Sequence, residues 1–192
     1  MQADPSAPWL SRSRPALPAD PAAGARRAHR TLEAGCRFMA ARAGTRARAD
    51  THLGEVAHAR LIGNQLQELD RFLSVLIDEA SRGAEAGEAE RPLRNTARKL
   101  RQAAIMTGAD EARLRAIGRI AAVFRHCGGI IHNVAIHDDL RLVDGLKASA
   151  AGASGRGTRL HLAPMTVVAI CDFYRQMGAR LLTLAARPGA AP

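Results

Sequence analysis

The sequence predicts an all-α protein, a bundle of about five helices behind a disordered basic N-terminal tail, and three observations carry this. Hydrophobic residues make up 47% of the chain and aromatics only 3%, so the core must be built from Ala, Leu, Ile and Val. Ala and Leu are strong helix formers, whereas strands prefer aromatic and β-branched residues. Apolar residues recur every three or four positions over long stretches, and Gly and Pro punctuate those stretches at their ends. At 192 residues, one domain of ordinary size plus loose termini is expected: 1–22 as tail, 23–187 as a single helical domain, 188–192 as a short disordered end.

The tail contains Pro5, Pro8, Pro15, Pro18 and Pro21 among Ala, Ser and Arg, a composition that blocks helix and buries little. From Ala23 to about Arg48, Leu32, Cys36, Met39 and Ala43 fall on one face of a helix. Seven Arg and one acid, Glu33, occupy its other positions, giving a basic amphipathic helix. A second helix runs from about His52 to Ser81 on the stripe Ile62, Leu66, Leu69, Leu73, Leu76 and Ala80, broadened by Phe72 and Ile77. Leu61 to Glu90 carries seven Asp and Glu against two Arg, so this helix should pack against basic ones. Gly83 and Gly87 end it.

Pro92 suits the first turn of a third helix with Leu93, Ala97, Leu100 and Ala104 inward, ending at Thr107-Gly108. Asp110 then caps a fourth, with Leu114, Ile117, Ala121 and Phe124 inward. Gly128-Gly129 should break it, leaving Ile130 to Ile136 as an extended segment or a helical restart. Ala148 to Gly157 reads as a flexible loop. Pro164 opens a last helix to about Ala186, with Val168, Cys171, Leu181 and Leu184 near helical spacing.

The charge is the strongest functional signal. The chain has 26 Arg, two Lys (Lys99 and Lys147) and a net charge of +10, with a pI near 11.2. Such a field attracts polyanions by counterion release and long-range steering. Between Arg91 and Arg125, nine Arg and Lys face only Asp110 and Glu111. The expected partner is therefore DNA or RNA. Three cysteines at wide spacing (Cys36, Cys127, Cys171) fit neither a disulfide framework nor a C-x-x-C zinc pattern, which suggests a reducing cytoplasm. No run reaches the 18 or so apolar residues of a membrane helix, and the start lacks the apolar block of a secretory signal. Asp4, Asp20 and the tail's prolines argue against a transit peptide. No cofactor is expected: the Lys and Ser or Thr of a phosphate loop are absent after Gly128-Gly129.

Two short windows resemble known families. Leu100 to Arg119 resembles the DNA-binding helix-turn-helix, with Ala104 as the small residue between helices, Gly108 in the turn, and Leu114 and Ile117 as contacts of the second helix. The resemblance implies that Arg113, Arg115 and Arg119 face nucleic acid; Arg94, Arg98 and Arg101, on the preceding helix, are expected to join them on grounds of charge. An Arg can hold a phosphate or a guanine edge with two hydrogen bonds. Arg125-His126-Cys127-Gly128-Gly129-Ile130-Ile131-His132 resembles the R-X4-6-H motif of HEPN-domain proteins, helical bundles that include metal-independent, toxin-type ribonucleases. That resemblance implies that Arg125 holds the scissile phosphate, His132 moves protons, and His126 fills the polar position after the Arg, in a site commonly completed across a homodimer. Guanidinium geometry and an imidazole that titrates near neutrality suit that chemistry. His126, Cys127, His132 and His137 offer zinc-type ligands, but their spacing matches no standard site, and no metal is assigned. The main expectation is nucleic-acid-associated binding through the Arg-rich helix pair. The alternatives are a HEPN-like ribonuclease and a protein-interaction bundle.

Overall fold

The computed structural model describes residues 21–43, 52–82, 96–102, 104–144 and 155–186. Among these residues the chain is all-α, with six helices: α1 (Pro21–Ala43), α2 (His52–Arg82), α3 (Thr96–Gln102), α4 (Gly108–His126), α5 (Ile136–Asp144) and α6 (Pro164–Ala185). Residues 1–20 of the predicted tail, the loop with Gly83 and Gly87, Arg94 and most of the loop 148–157 lie outside the described residues, while Pro21 and Ala22, predicted as tail, open α1.

Around the bundle, α1 neighbours α2 and α6, α2 neighbours α4, and α5 packs on both α4 and α6, while α2 and α6 also touch each other. The predicted stripes supply the core. Leu32, Cys36 and Met39 of α1, Leu66, Leu69, Leu73 and Leu76 of α2, and Leu114, Ile117 and Phe124 of α4 are all buried. Helix α6 buries more than one stripe, namely Thr166, Val167, Ile170, Cys171, Phe173, Tyr174, Met177, Gly178 and Leu181. Val168 and Leu184, predicted near helical spacing with that stripe, are only half-buried. Tyr174 and Phe173 meet edge to face with centroids 5.8 Å apart. Cys36 and Cys171 share a hydrogen bond across the α1–α6 seam; that bond, with burial, pushes the Cys36 thiol well above its ordinary range. Both cysteines are buried and free, and behave as small core residues.

Glycine permits a close helix approach. A Cβ on Gly63 of α2 would lie 2.9 Å from the Arg125 backbone nitrogen and 3.0 Å from the Ala121 carbonyl oxygen, so α2 and α4 touch backbone to backbone there.

Three expectations need correction in the middle of the chain. Helix α3 spans Thr96–Gln102 and does not extend to Thr107-Gly108. It stops because Ala104 takes a left-handed conformation, φ 53°, unusual for a residue with a Cβ. Ala104 is exposed and does not separate two helices. The N-cap of α4 is Thr107, with Asp110 at N3 completing a reciprocal capping box. The Asp110 amide donates to the Thr107 hydroxyl at 3.1 Å and the Thr107 amide donates to the Asp110 carboxylate at 3.0 Å. Burial acts to raise the Asp110 carboxyl, but the Thr107 donors and Arg180 outweigh it and hold the group below the usual carboxylate range. Helix α5 brings the count among the described residues to six, against the expected five or so.

Gly128 and Gly129 break α4 as predicted, with φ 57° and 84°. The Gly129 amide reaches back to the Val123 carbonyl at 3.1 Å, across the end of the helix. The chain then runs extended for a few residues. Ile131 donates to Thr158 at 2.9 Å and Leu160 donates to Gly129 at 2.7 Å, giving one isolated antiparallel bridge between Ile130 and Arg159.

The expected pairing of the acidic α2 with a basic helix is found at α3. Lys99 Nζ donates to both Asp78 oxygens at 2.6 and 2.8 Å, and the Thr96 hydroxyl donates to Asp70 at 2.9 Å. Burial raises the Asp70 pKa, against opposing effects of Thr96 and Lys99. A carboxyl whose folded-state pKa lies above its unfolded value binds its proton more readily when folded. Its ionised form therefore lowers stability at neutral pH, and the loss is relieved as pH falls through the folded pKa. Asp70→Asn keeps an oxygen acceptor for Thr96 and removes the charge. Its thermal midpoint is expected to exceed that of the parent at pH 7, with the difference closing on acidification; a lower midpoint at pH 7 would contradict this.

Candidate nucleic-acid interface

The arginines of the predicted interface are, for the most part, paired with groups of the chain itself, although the side chains of Arg101, Arg115 and Arg119 remain exposed. Arg113 on α4 donates to the Val143 carbonyl at 2.6 Å and the Ala169 carbonyl at 3.2 Å. Val143 lies in the last turn of α5, where carbonyls lack helical partners. The same guanidinium lies 5.2 Å from the Phe173 ring centroid. Arg119 forms a two-pronged pair with Asp139, Nε to Oδ2 at 2.8 Å and Nη2 to Oδ1 at 2.6 Å. Asp139 is buried, and its hydrogen bonds hold Arg119 even higher than the usual arginine range. Arg101 and Arg115 both reach Oε1 of Glu111, the latter at 2.5 Å, so one carboxylate answers two exposed guanidinium groups. Arg98 is exposed on α3.

Helices α3 and α4 do not form the compact pair that a helix-turn-helix implies. Helix α3 is seven residues long and docks mainly on α2. Helix α4 is flanked by α2 and α5, and Arg113 and Arg119, two of the three arginines assigned to a recognition face, point to α5 and α6.

The Arg-His window is divided between elements. Arg125 lies in the last turn of α4, half-buried, its Cγ packed where α2 presents Gly63; it forms no ion pair among the described residues. His126 is exposed at the helix end, and His132 is exposed beyond the Gly-Gly break and the extended pairing. Arg125 and His132 thus lie on either side of the end of α4 and not along one helix. His126, Cys127, His132 and His137 do not gather into any set of three or more able to hold a metal ion. No family model, no curated protein and no solved structure matches this chain.

The largest group of exposed, unpaired arginines among the described residues lies on α1. Arg26, Arg27, Arg30, Arg37 and Arg42 are all exposed on this helix. Arg27, Arg30 and Arg37 form no ion pair or side-chain hydrogen bond among the described residues. The helix's single acid, Glu33, turns toward α6 and meets Arg175 at 3.6 Å, so it does not neutralise the outer face. At 1.5 Å per residue, Arg27 to Arg37 spans about 15 Å. The basic amphipathic character of this segment was legible in the sequence, but its place as the main uncompensated surface was not. Phe38, on the same helix, is 56% exposed, which the spacing of the apolar residues does not disclose. None of the described helices is long and apolar enough to cross a membrane.

Proposed function

We propose that this protein binds nucleic acid through backbone phosphates, using the outer face of α1 as its principal contact surface, without itself carrying out chemistry. The observation that carries this reading is the row Arg27, Arg30 and Arg37, exposed and without ion-pair partners among the described residues, on a helix whose only acid faces inward. Arginines held by carboxylates or carbonyls must break those bonds to meet a phosphate. These three need not. Arg101 and Arg115, which share Glu111, supply a weaker second patch.

The test is binding of a fluorescent 20-nucleotide DNA or RNA between 50 and 200 mM salt. For Arg27→Ala/Arg30→Ala/Arg37→Ala, loss of three phosphate contacts is expected to make the log K against log [salt] slope shallower by about 2 to 3, with affinity at low salt reduced roughly 10- to 100-fold. Binding that is absent, or insensitive to salt, for both DNA and RNA sinks the reading. RNA cleavage that survives chelator and disappears in Arg125→Ala or His132→Ala would instead favour the ribonuclease alternative.

A further inference from the structure

We infer that the α1 face is built for single-stranded rather than duplex nucleic acid, with Phe38 as a stacking platform for a base. This rests on the phosphate-binding reading of the same helix. Phe38 is the most exposed aromatic ring among the described residues; Phe124, Phe173 and Tyr174 are in the core and Phe72 is half-buried. An aromatic side chain left open on a helix forgoes its burial energy, and α1 has an inward face for apolar residues that Phe38 does not join.

Its surroundings fit a base. Arg30, Ala34, Phe38 and Arg42 follow at intervals of four, so they lie along one helical row. Ala34 is small and exposed, which leaves a low floor between the Arg30 guanidinium and the ring. On the other side, the Arg42 guanidinium lies 5.4 Å from the ring centroid. Arginine planes and aromatic rings are the two side-chain surfaces on which unpaired bases stack. Arg27 and Arg37 flank the row and can follow the strand. The 15 Å they span corresponds to about four nucleotides of a stacked strand rising 3.4 Å each. A duplex keeps its base faces inside the stack and offers Phe38 only sugar and phosphate, so the exposed ring adds nothing to duplex binding.

The experiment compares Phe38→Leu and Phe38→Trp with the parent chain, on a single-stranded 20-nucleotide oligo-dT and on a 20-base-pair duplex. Phe38→Leu keeps an apolar side chain at an exposed position and removes the π-face. It is expected to weaken oligo-dT binding roughly 5- to 100-fold, leave its salt slope unchanged and leave duplex binding as it was. Phe38→Trp should retain the parent affinity. Unchanged oligo-dT binding by Phe38→Leu, or equal loss on strand and duplex, overturns the inference. If Phe38→Leu is neutral while the triple arginine variant loses binding, stacking fails and the phosphate-binding reading stands. If the triple variant is also neutral, both fail. Vesicles containing phosphatidylserine, bound more tightly than oligo-dT by the parent chain, would likewise overturn it in favour of a membrane surface.

Discussion

Arg113→Ala is expected to lower stability by about 2–3 kcal/mol and leave oligonucleotide binding unchanged. Arg113 was a natural candidate for phosphate contact from its place in the sequence, but its guanidinium bridges three elements: it belongs to α4, caps the end of α5 through Val143, and touches α6 through Ala169 and Phe173. A hydrogen bond from a charged donor contributes about 1.5–3 kcal/mol net, and a cation over an aromatic ring adds about 0.5–2. The Arg113 Nε is buried without a partner, which offsets part of that sum. For a chain of this size, a loss of 2–3 kcal/mol corresponds to a fall of about 5–10 °C in the thermal midpoint. Arg113→Lys should recover little, because one ammonium lacks the planar fork that serves two carbonyls and stacks on a ring. An unchanged midpoint combined with weaker binding would return Arg113 to the interface and contradict this assignment.

The second large effect concerns the α2–α4 contact. In the interior of an exposed helix, Gly→Ala stabilises by about 1 kcal/mol. Gly118 of α4, where an added Cβ would meet nothing within 4 Å, should follow that rule. Gly63 should reverse it. There the new methyl would approach the Arg125 backbone nitrogen at 2.9 Å and the Ala121 oxygen at 3.0 Å, atoms that move only if the helices move apart. Overpacking of this kind costs about 1–3 kcal/mol, so Gly63→Ala is expected to destabilise by about 1–2 kcal/mol after the propensity gain is subtracted. Urea denaturation of the two variants should give midpoints displaced in opposite directions; displacement in the same direction would mean that α2 and α4 are not in backbone contact at Gly63.

These cases indicate what the sequence could and could not disclose. Helices α1, α2, α4 and α6 were legible because each carries a long periodic stripe, and Pro164 and Gly128-Gly129 are punctuation whose backbone demands are local. The end of α3 was not, because the residue that turns left-handed is Ala104, where the chain carries neither Gly nor Asn to signal it. The capping box at α4 was half-read: Asp110 was recognised, while the hydroxyl that caps the helix belongs to Thr107.

For the site, the sequence disclosed the amount of charge but not its distribution. Arg27 and Arg113 are chemically identical in a string of letters, each on an amphipathic helix. What separates them is that Arg113 meets carbonyls 30 and 56 residues away and Arg119 a carboxylate 20 residues away, whereas Arg27 meets none among the described residues. Only tertiary packing decides which arginines are consumed. Arg125 and His132 are likewise separated by the end of α4 and two left-handed glycines, a feature of the backbone that their spacing alone does not show.

The central claim is that α1, and not the α3–α4 pair, presents the nucleic-acid-binding charge. Titration of oligo-dT into 15N-labelled protein tests it most directly, residue by residue. The expected result is that amide shifts concentrate on the exposed positions of α1 between Arg26 and Arg42, with Arg113 and Arg119 silent. Shifts confined to residues 97–102 and 111–119, with α1 unmoved, would contradict it.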